Sequence, residues 1–271
     1  MKPLTPESGP AYLFCPADRP DRYQKAQDRA DFVILDLEDA VAPGDKVAAR
    51  EALANNPIDP DNVIIRINAL TSPQSLEDLD VLISLKYRRI MVPKAEDAAA
   101  IAALTGFEVI ALCETARGVL AAAEIAEAPT VVGLMWGAED LMVSLGAWSS
   151  RRENGSYLDV ALHARSSVLM ATAAVGKPAL DSVYLAIDDE SGLEDEARDA
   201  ATSGFTGKAC IHPHQAAIVR QAFNPSPEQV SWAHRVIESA ATSGVARVDG
   251  QMVDEPILRQ ARRICLAAHD T

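Results

Sequence analysis

Two acidic residues, Glu114 in ALCETARG and Asp140 in MWGAEDL, each follow a strand-like apolar run and precede a helix-like segment. Two carboxylates in one place repel unless a cation lies between them, so the pair reads as a divalent-metal site. Hard oxygen ligands without a nearby Cys or His pair select Mg2+, with Mn2+ as an alternative, over Zn2+. Mg2+ needs only one or two carboxylates and fills its other positions with water and substrate. Helix capping is the competing explanation for Asp39, Asp97 and Asp140, because an acid at an N-cap or in a first turn is favourable without any metal. Glu114 fits that explanation less well, since Thr115 after it is itself a good N-cap.

Other polar residues fall at similar junctions: Glu38 and Asp39, Arg66 and Asn68, Lys94 and Glu96, Glu139, Asp181 and His212. Arg66 offers a forked, permanently charged donor suited to a substrate carboxylate or a developing enolate oxygen. A salt bridge to Glu38 or Asp39 is its other reading. Arg19, Arg22, Lys25 and Arg29 form a dense basic stretch in the N-terminal part of the chain, either a solvated helix face or a place for phosphates.

These residues need a frame that brings strand ends together. Apolar runs alternate with amphipathic stretches: strands at 11–16, 32–38, 62–68, 88–95, 108–114, 130–140, 178–185 and 207–213, and helices near 21–29, 43–55, 73–86, 96–104, 116–127, 157–175, 190–203 and 214–223. Several strands are apolar on both alternations, as in a parallel sheet covered by helices. Eight β/α units predict a (β/α)8 TIM barrel, whose usual length is about 250 residues and whose active sites lie at the C-terminal ends of the strands. No GxGxxG follows the first strand, which removes the main support for an open dinucleotide-binding sheet. The barrel is expected over 1–224. A C-terminal helical or lid extension over 225–271 carries helices near 227–242 and 256–268 and a strand or loop at 245–254.

The 271-residue chain is 48% hydrophobic and 24% charged, ordinary for a globular domain. Its net charge of −14 argues against nucleic acid or an anionic membrane as partner. No apolar signal core begins the sequence and no run reaches the roughly 20 residues that cross a bilayer, so a cytoplasmic location is expected. Cys15, Cys113, Cys210 and Cys265 lack zinc-ligand spacing, and the first three fall in predicted strands as buried thiols.

The segments YLFCPADRPDRYQKA, VILDLEDAV, VIIRINA, VPKAE, CETARG, WGAEDL, CIHPHQ and DGQMVDEP occur in this order along nearly the whole chain. Together they resemble the citrate lyase β-subunit-like branch of the HpcH/HpaI aldolase family. The resemblance implies a Mg2+-dependent (β/α)8 lyase that breaks or forms a carbon–carbon bond in a β-hydroxyacyl-CoA. Citramalyl-CoA, malyl-CoA or 3-hydroxy-3-methylglutaryl-CoA is the implied substrate, with acetyl-CoA or propionyl-CoA and a small keto acid as products. It further implies Glu114 and Asp140 as metal ligands, Arg66 as the contact to substrate and enolate, and Glu38 and Asp39 as residues that order water around the metal. The stretch with Arg19, Arg22 and Lys25 would lie near CoA. Asp254, in the DGQMVD motif, would be a general acid/base delivered from a neighbouring subunit of a homotrimer, or of a hexamer built as a dimer of trimers.

One departure narrows the resemblance. Relatives acting on free hydroxy-keto acids use a histidine in the N-terminal part of the barrel, whereas this chain has none before His163. His212 is either a contact to the site or a structural histidine of its turn. Two other readings of the whole chain stand beside the CoA lyase: a citrate lyase subunit acting on an acyl-carrier-protein thioester, and a non-catalytic acyl-CoA-binding regulator. Leu112, Met135, Trp136 and Val183 are expected to wall the acyl pocket.

Overall fold

The computed structural model describes residues 1–242 and 246–268. Eight parallel strands close into a barrel in chain order: β1 (Ala11–Pro16), β2 (Phe32–Asp36), β3 (Val63–Arg66), β4 (Arg89–Val92), β5 (Glu108–Cys113), β6 (Val131–Trp136), β7 (Ala179–Asp181) and β8 (Gly207–Cys210). Closure comes from β8 lying parallel to β1, with Tyr12 opposite Ala209 and Leu13 opposite Cys210. Every residue of β2, β4 and β8 is buried, because one face fills the barrel and the other meets the helices. Tyr12, Phe32, Ile64, Met91 and Ile110 help fill the interior, with Tyr12 and Phe32 stacked at 4.6 Å. This is the (β/α)8 barrel the strand count predicts.

Around it run α1 (Tyr23–Arg29), α2 (Lys46–Asn55), α3 (Gln74–Ser84), α4 (Ala98–Ala102), α5 (Ala116–Leu120), α6 (Ala122–Glu127), α7 (Ala138–Leu145), α8 (Asp159–Ala174), α9 (Glu190–Ser203) and α10 (Pro213–Phe223). β2, β3, β4 and β8 end two to three residues before their expected limits, and three further local expectations need correction. The helix expected over 116–127 is α5 and α6, separated at Ala121. The sixth strand stops at Trp136 instead of running to residue 140, because Gly137 is the N-cap of an unanticipated helix, α7, which ends in a left-handed Gly146. The seventh strand ends at Asp181 instead of running to residue 185, and the Ser182 carbonyl beyond it accepts from the Lys208 ammonium at 2.7 Å.

Beneath the strand ends sits a buried ionic brace. The Asp181 carboxylate, with no exposed surface, accepts from Trp136 Nε1 at 2.7 Å and from Arg165 Nε and Lys208 Nζ at 2.9 Å each. Lys208 also reaches Glu196 at 2.8 Å. Burial opposes both charges, but Lys208 and Arg165 hold the Asp181 carboxyl below its usual range.

The chain divides into two compact units, Met1–Arg220 and Gln221–Thr271. Within the second, α11 (Pro227–Thr242) and α12 (Glu255–Ala268) share an apolar core with a hairpin of β9 (Ala246–Val248) and β10 (Gln251–Val253). The Asp249–Gly250 pair of the DGQMVD motif turns this hairpin with both φ values positive, at 50° and 84°, as a tight two-residue turn requires. Among the described residues no helix is long and apolar enough to cross a membrane. Cys15, Cys113 and Cys210 are buried free thiols, and burial pushes Cys15 up to about 11 and the other two up to about 12.

Candidate metal and active site

Glu114 follows β5 directly and is 3% exposed. Thr115 takes the capping role, its hydroxyl accepting from Gly118 N at 3.0 Å and donating to Glu96 Oε1 at 2.7 Å. The glutamate is therefore free of the helix it precedes. Gly118 permits this turn, because a Cβ there would lie 2.3 Å from the Ala95 carbonyl oxygen. Asp140 stands in the first turn of α7 and does not cap it. The Ser182 hydroxyl accepts from Ala138 N at 3.2 Å, so α7 finds a partner for that amide elsewhere. Capping does explain Asp97, which accepts from Ala99 N and Ala100 N at 2.9 and 3.1 Å.

The environment of Glu114 shows what the site lacks in charge. Burial, with the Asp140 and Glu38 carboxylates adding to it, pushes its carboxyl up to about 8 against the opposing pull of Lys94 and Arg66. A carboxylate so raised by desolvation and like charges returns to its ionised form when a cation arrives between the acids. Among the described residues no group of three or more His, Cys, Asp or Glu is placed as a ligand set. A pair suits Mg2+, which completes its shell with water and substrate, and does not suit a closed zinc site.

Lys94 links the acids. Its main-chain N–H donates to Glu114 Oε1 at 3.0 Å from a left-handed backbone, φ 49°. Its ammonium lies 2.6 Å from Glu38 Oε1, 3.6 Å from Asp140 Oδ1 and 3.7 Å from Asp39 Oδ2. Burial pulls the ammonium pKa down, but Glu38 and the carboxylates around it outweigh that effect and raise it. Burial likewise lifts the Glu38 carboxyl, with Arg66 and Lys94 opposing.

Arg66, the last residue of β3, grips Asp36 through Nε at 2.7 Å and Nη2 at 2.5 Å and stands over the Phe14 ring at 4.9 Å. Its Nη1 makes an ion pair with Glu38 Oε2 at 3.1 Å that lacks hydrogen-bond geometry, so this buried oxygen has no hydrogen-bond partner. The salt-bridge reading of Arg66 holds, with Asp36 as a principal partner that sequence reasoning missed. Asp36 also accepts from Glu38 N at 2.8 Å and Ala40 N at 3.1 Å, fixing the turn that presents Glu38 and Asp39. An acid inside the apolar run FVILD was the available signal, since a buried carboxylate requires a partner. Two of the five guanidinium N–H donors serve Asp36, leaving Nη1 and one Nη2 hydrogen for a ligand.

Several other candidates are structural. Asp181 belongs to the brace, Glu139 accepts from the Ser150 hydroxyl at 2.7 Å, and Asn68 is tied to Asp78 by two 2.7 Å bonds. His212 is exposed, its Nδ1 3.3 Å from His214 N, a contact within its own turn. Arg19, Arg22 and Lys25 are exposed after β1, at the strand-end side of the barrel, with Arg19 paired to Asp21 at 3.2 Å. Leu112 and Met135 belong to the barrel core, against which Val183 packs, and Trp136 is buried on Asp181. Asp254 is exposed in the C-terminal unit, where its carboxylate lies 3.3 Å from Ile257 N at the start of α12.

The sequence model of the HpcH/HpaI aldolase/citrate lyase family matches residues 11–213. A citrate lyase subunit beta-like protein of Mycobacterium tuberculosis is 52% identical over 255 residues, covering 94% of this chain and 93% of that protein. A (3S)-malyl-CoA thioesterase of Cereibacter sphaeroides is 36% identical, covering 93% and 91%. The crystal structure of a CitE protein of M. tuberculosis in complex with magnesium, acetoacetate and coenzyme A superposes with a TM-score of 0.95 at 51% identity, covering 96% of this chain and 98% of that one. The chain therefore belongs to the HpcH/HpaI aldolase/citrate lyase family, in its citrate lyase β-subunit-like branch.

Proposed function

We propose that this lyase cleaves, or forms, the carbon–carbon bond of a β-hydroxyacyl-CoA such as citramalyl-CoA, malyl-CoA or 3-hydroxy-3-methylglutaryl-CoA, with Mg2+ held by Glu114 and Asp140. The observation that carries this reading is the buried, uncapped Glu114 carboxyl, held at 3.0 Å by the main-chain N–H of Lys94, whose ammonium lies 3.6 Å from Asp140. It is supported by the likeness to a protein whose crystals contain magnesium, acetoacetate and coenzyme A. Held by these two acids, Mg2+ would supply Lewis acidity toward a substrate carboxylate and hydroxyl.

The chain's own groups do the rest. Asp254 of a neighbouring copy takes the hydroxyl proton as general base; that carbon becomes a carbonyl, the adjacent carbon–carbon bond breaks, its electron pair passes to the acetyl-CoA enolate, and the same carboxyl returns the proton to the enolate carbon. The Arg66 N–H donors that do not serve Asp36 would stabilise the charge developing on the enolate oxygen. Glu38 and Asp39 order water beside the acid pair, and Arg19, Arg22 and Lys25 offer cations to the CoA phosphates. Asp254 protonates the enolate from a neighbouring copy in a homotrimer, or in a dimer of trimers.

A coupled assay over the three acyl-CoA thioesters, with and without Mg2+, tests this reading. Mg2+-dependent release of a keto acid together with acetyl-CoA is expected. Release of free CoA with the carbon skeleton intact would instead make the chain a thioesterase, the activity named for the C. sphaeroides relative. Activity confined to a carrier-protein thioester would assign it to a citrate lyase complex. Asp254→Asn should lower kcat by about 100-fold or more with Mg2+ binding unchanged, and light scattering should give a mass of three or six chains. Wild-type kcat in Asp254→Asn, or a monomer at assay concentration, contradicts the role given to the arm.

A further inference from the structure

We infer that Lys94 is a built-in counter-cation of the acid pocket, which competes electrostatically with the divalent ion and thereby sets how tightly that ion binds. The inference rests on the metal assignment proposed above and adds to it a residue with no ligand role.

The carboxylates of Glu38, Asp39 and Asp140 surround the Lys94 ammonium, Glu114 meets its main-chain N–H, and the buried Asp36 is paired with Arg66. Arg66 is hydrogen-bonded to Asp36 and stands beside Glu38, 3.1 Å from its Oε2. Lys46 is turned to the Leu37 and Glu38 carbonyl oxygens, at 2.6 and 2.5 Å. Lys94 alone among these three cations touches the side of the pocket where Asp140 lies, 3.6 Å from its Oδ1. The same residue holds Glu114 through its main-chain N–H at 3.0 Å. Both proposed ligands thus contact one residue, the first through a backbone dipole and the second through a full positive charge. A non-glycine backbone at φ 49° is uncommon, and here it allows N–H and Nζ to serve the two acids together. A divalent ion bound between Glu114 and Asp140 is repelled by the ammonium, and at such range in a partly desolvated pocket this repulsion is not screened away.

The two parts of Lys94 can be separated. Lys94→Met removes the charge and keeps a side chain on the strained backbone. Lys94→Gly removes the charge and relieves the φ requirement while retaining the N–H. Mg2+ titration by calorimetry, with no acyl-CoA present, should show Mg2+ bound about tenfold more tightly by both variants than by the wild type, with Lys94→Arg close to wild type. A variant that is unfolded in EDTA and recovers native circular dichroism on adding Mg2+ supports the same role, since the ion then replaces the missing charge. Unchanged or weaker Mg2+ binding in folded Lys94→Met and Lys94→Gly overturns the inference, as does misfolding that Mg2+ fails to rescue. If the wild type binds no Mg2+ in this titration, the metal assignment itself falls, a result distinct from a wild type that binds while its Lys94 variants bind no better.

Discussion

Gly137 lies so close to Glu114 that a Cβ placed on it would sit 2.7 Å from both Cβ and Oε2 of the glutamate. The Gly137 backbone, φ −121°, is open to any residue, so glycine is required here for space and not for conformation. Gly137→Ala should therefore displace the Glu114 carboxylate while leaving the barrel folded. Mg2+ affinity is expected to fall by about tenfold or more, read by calorimetry, with the circular dichroism of the wild type. Unaltered Mg2+ affinity in the alanine variant would show that Glu114 does not need its observed position to bind the ion.

The raised Glu114 carboxyl makes metal-free stability depend on pH. Its ordinary value is 4.5 and its folded value about 8, so between those limits the folded chain keeps a proton that the unfolded chain has lost. This contribution is full below pH 4.5 and is lost as pH rises toward 8, at about 1.4 kcal/mol per pH unit across the window. Thermal melts in EDTA should show Glu114→Gln gaining on the wild type as pH is raised from 5 to 8. Mg2+ must displace the same proton, so wild-type Mg2+ affinity should rise over that interval. A constant difference between the two proteins across the range contradicts the assignment.

Removing Arg66 strands two carboxylates. Asp36 is 1% exposed, and Arg66 is its bidentate partner there. Arg66→Ala should cost about 3–5 kcal/mol in a denaturant titration, as expected for a buried pair broken on one side. The double variant Arg66→Ala with Asp36→Asn should recover part of that loss. No recovery would mean that the two residues are not coupled in stability.

The barrel was legible because burial on both alternations leaves a simple pattern, and β2 and β5 read directly as apolar runs. Glu114 was legible because an acid ending such a run, with a capping threonine behind it, has no local use. Asp140 was found on the wrong element. MWGAEDLMVSL is apolar enough to continue a strand, and only the Gly137 cap and the Ser182 hydroxyl show that α7 begins there. Asp36 was missed inside FVILD because its partner is 30 residues away on β3, a pairing set by register and not by spacing. The left-handed backbone of Lys94 left no trace in VPKAE, since any residue type can be forced there when its N–H is needed.

If Glu114 and Asp140 together hold one divalent ion, loss of either carboxylate must weaken its binding. Equilibrium Mn2+ binding followed by electron paramagnetic resonance, on the wild type, Glu114→Ala and Asp140→Ala, tests this most directly. One bound Mn2+ per chain in the wild type, displaced by Mg2+, and affinity reduced by about 100-fold or more in each variant is the predicted result. Wild-type affinity in both alanine variants would contradict it.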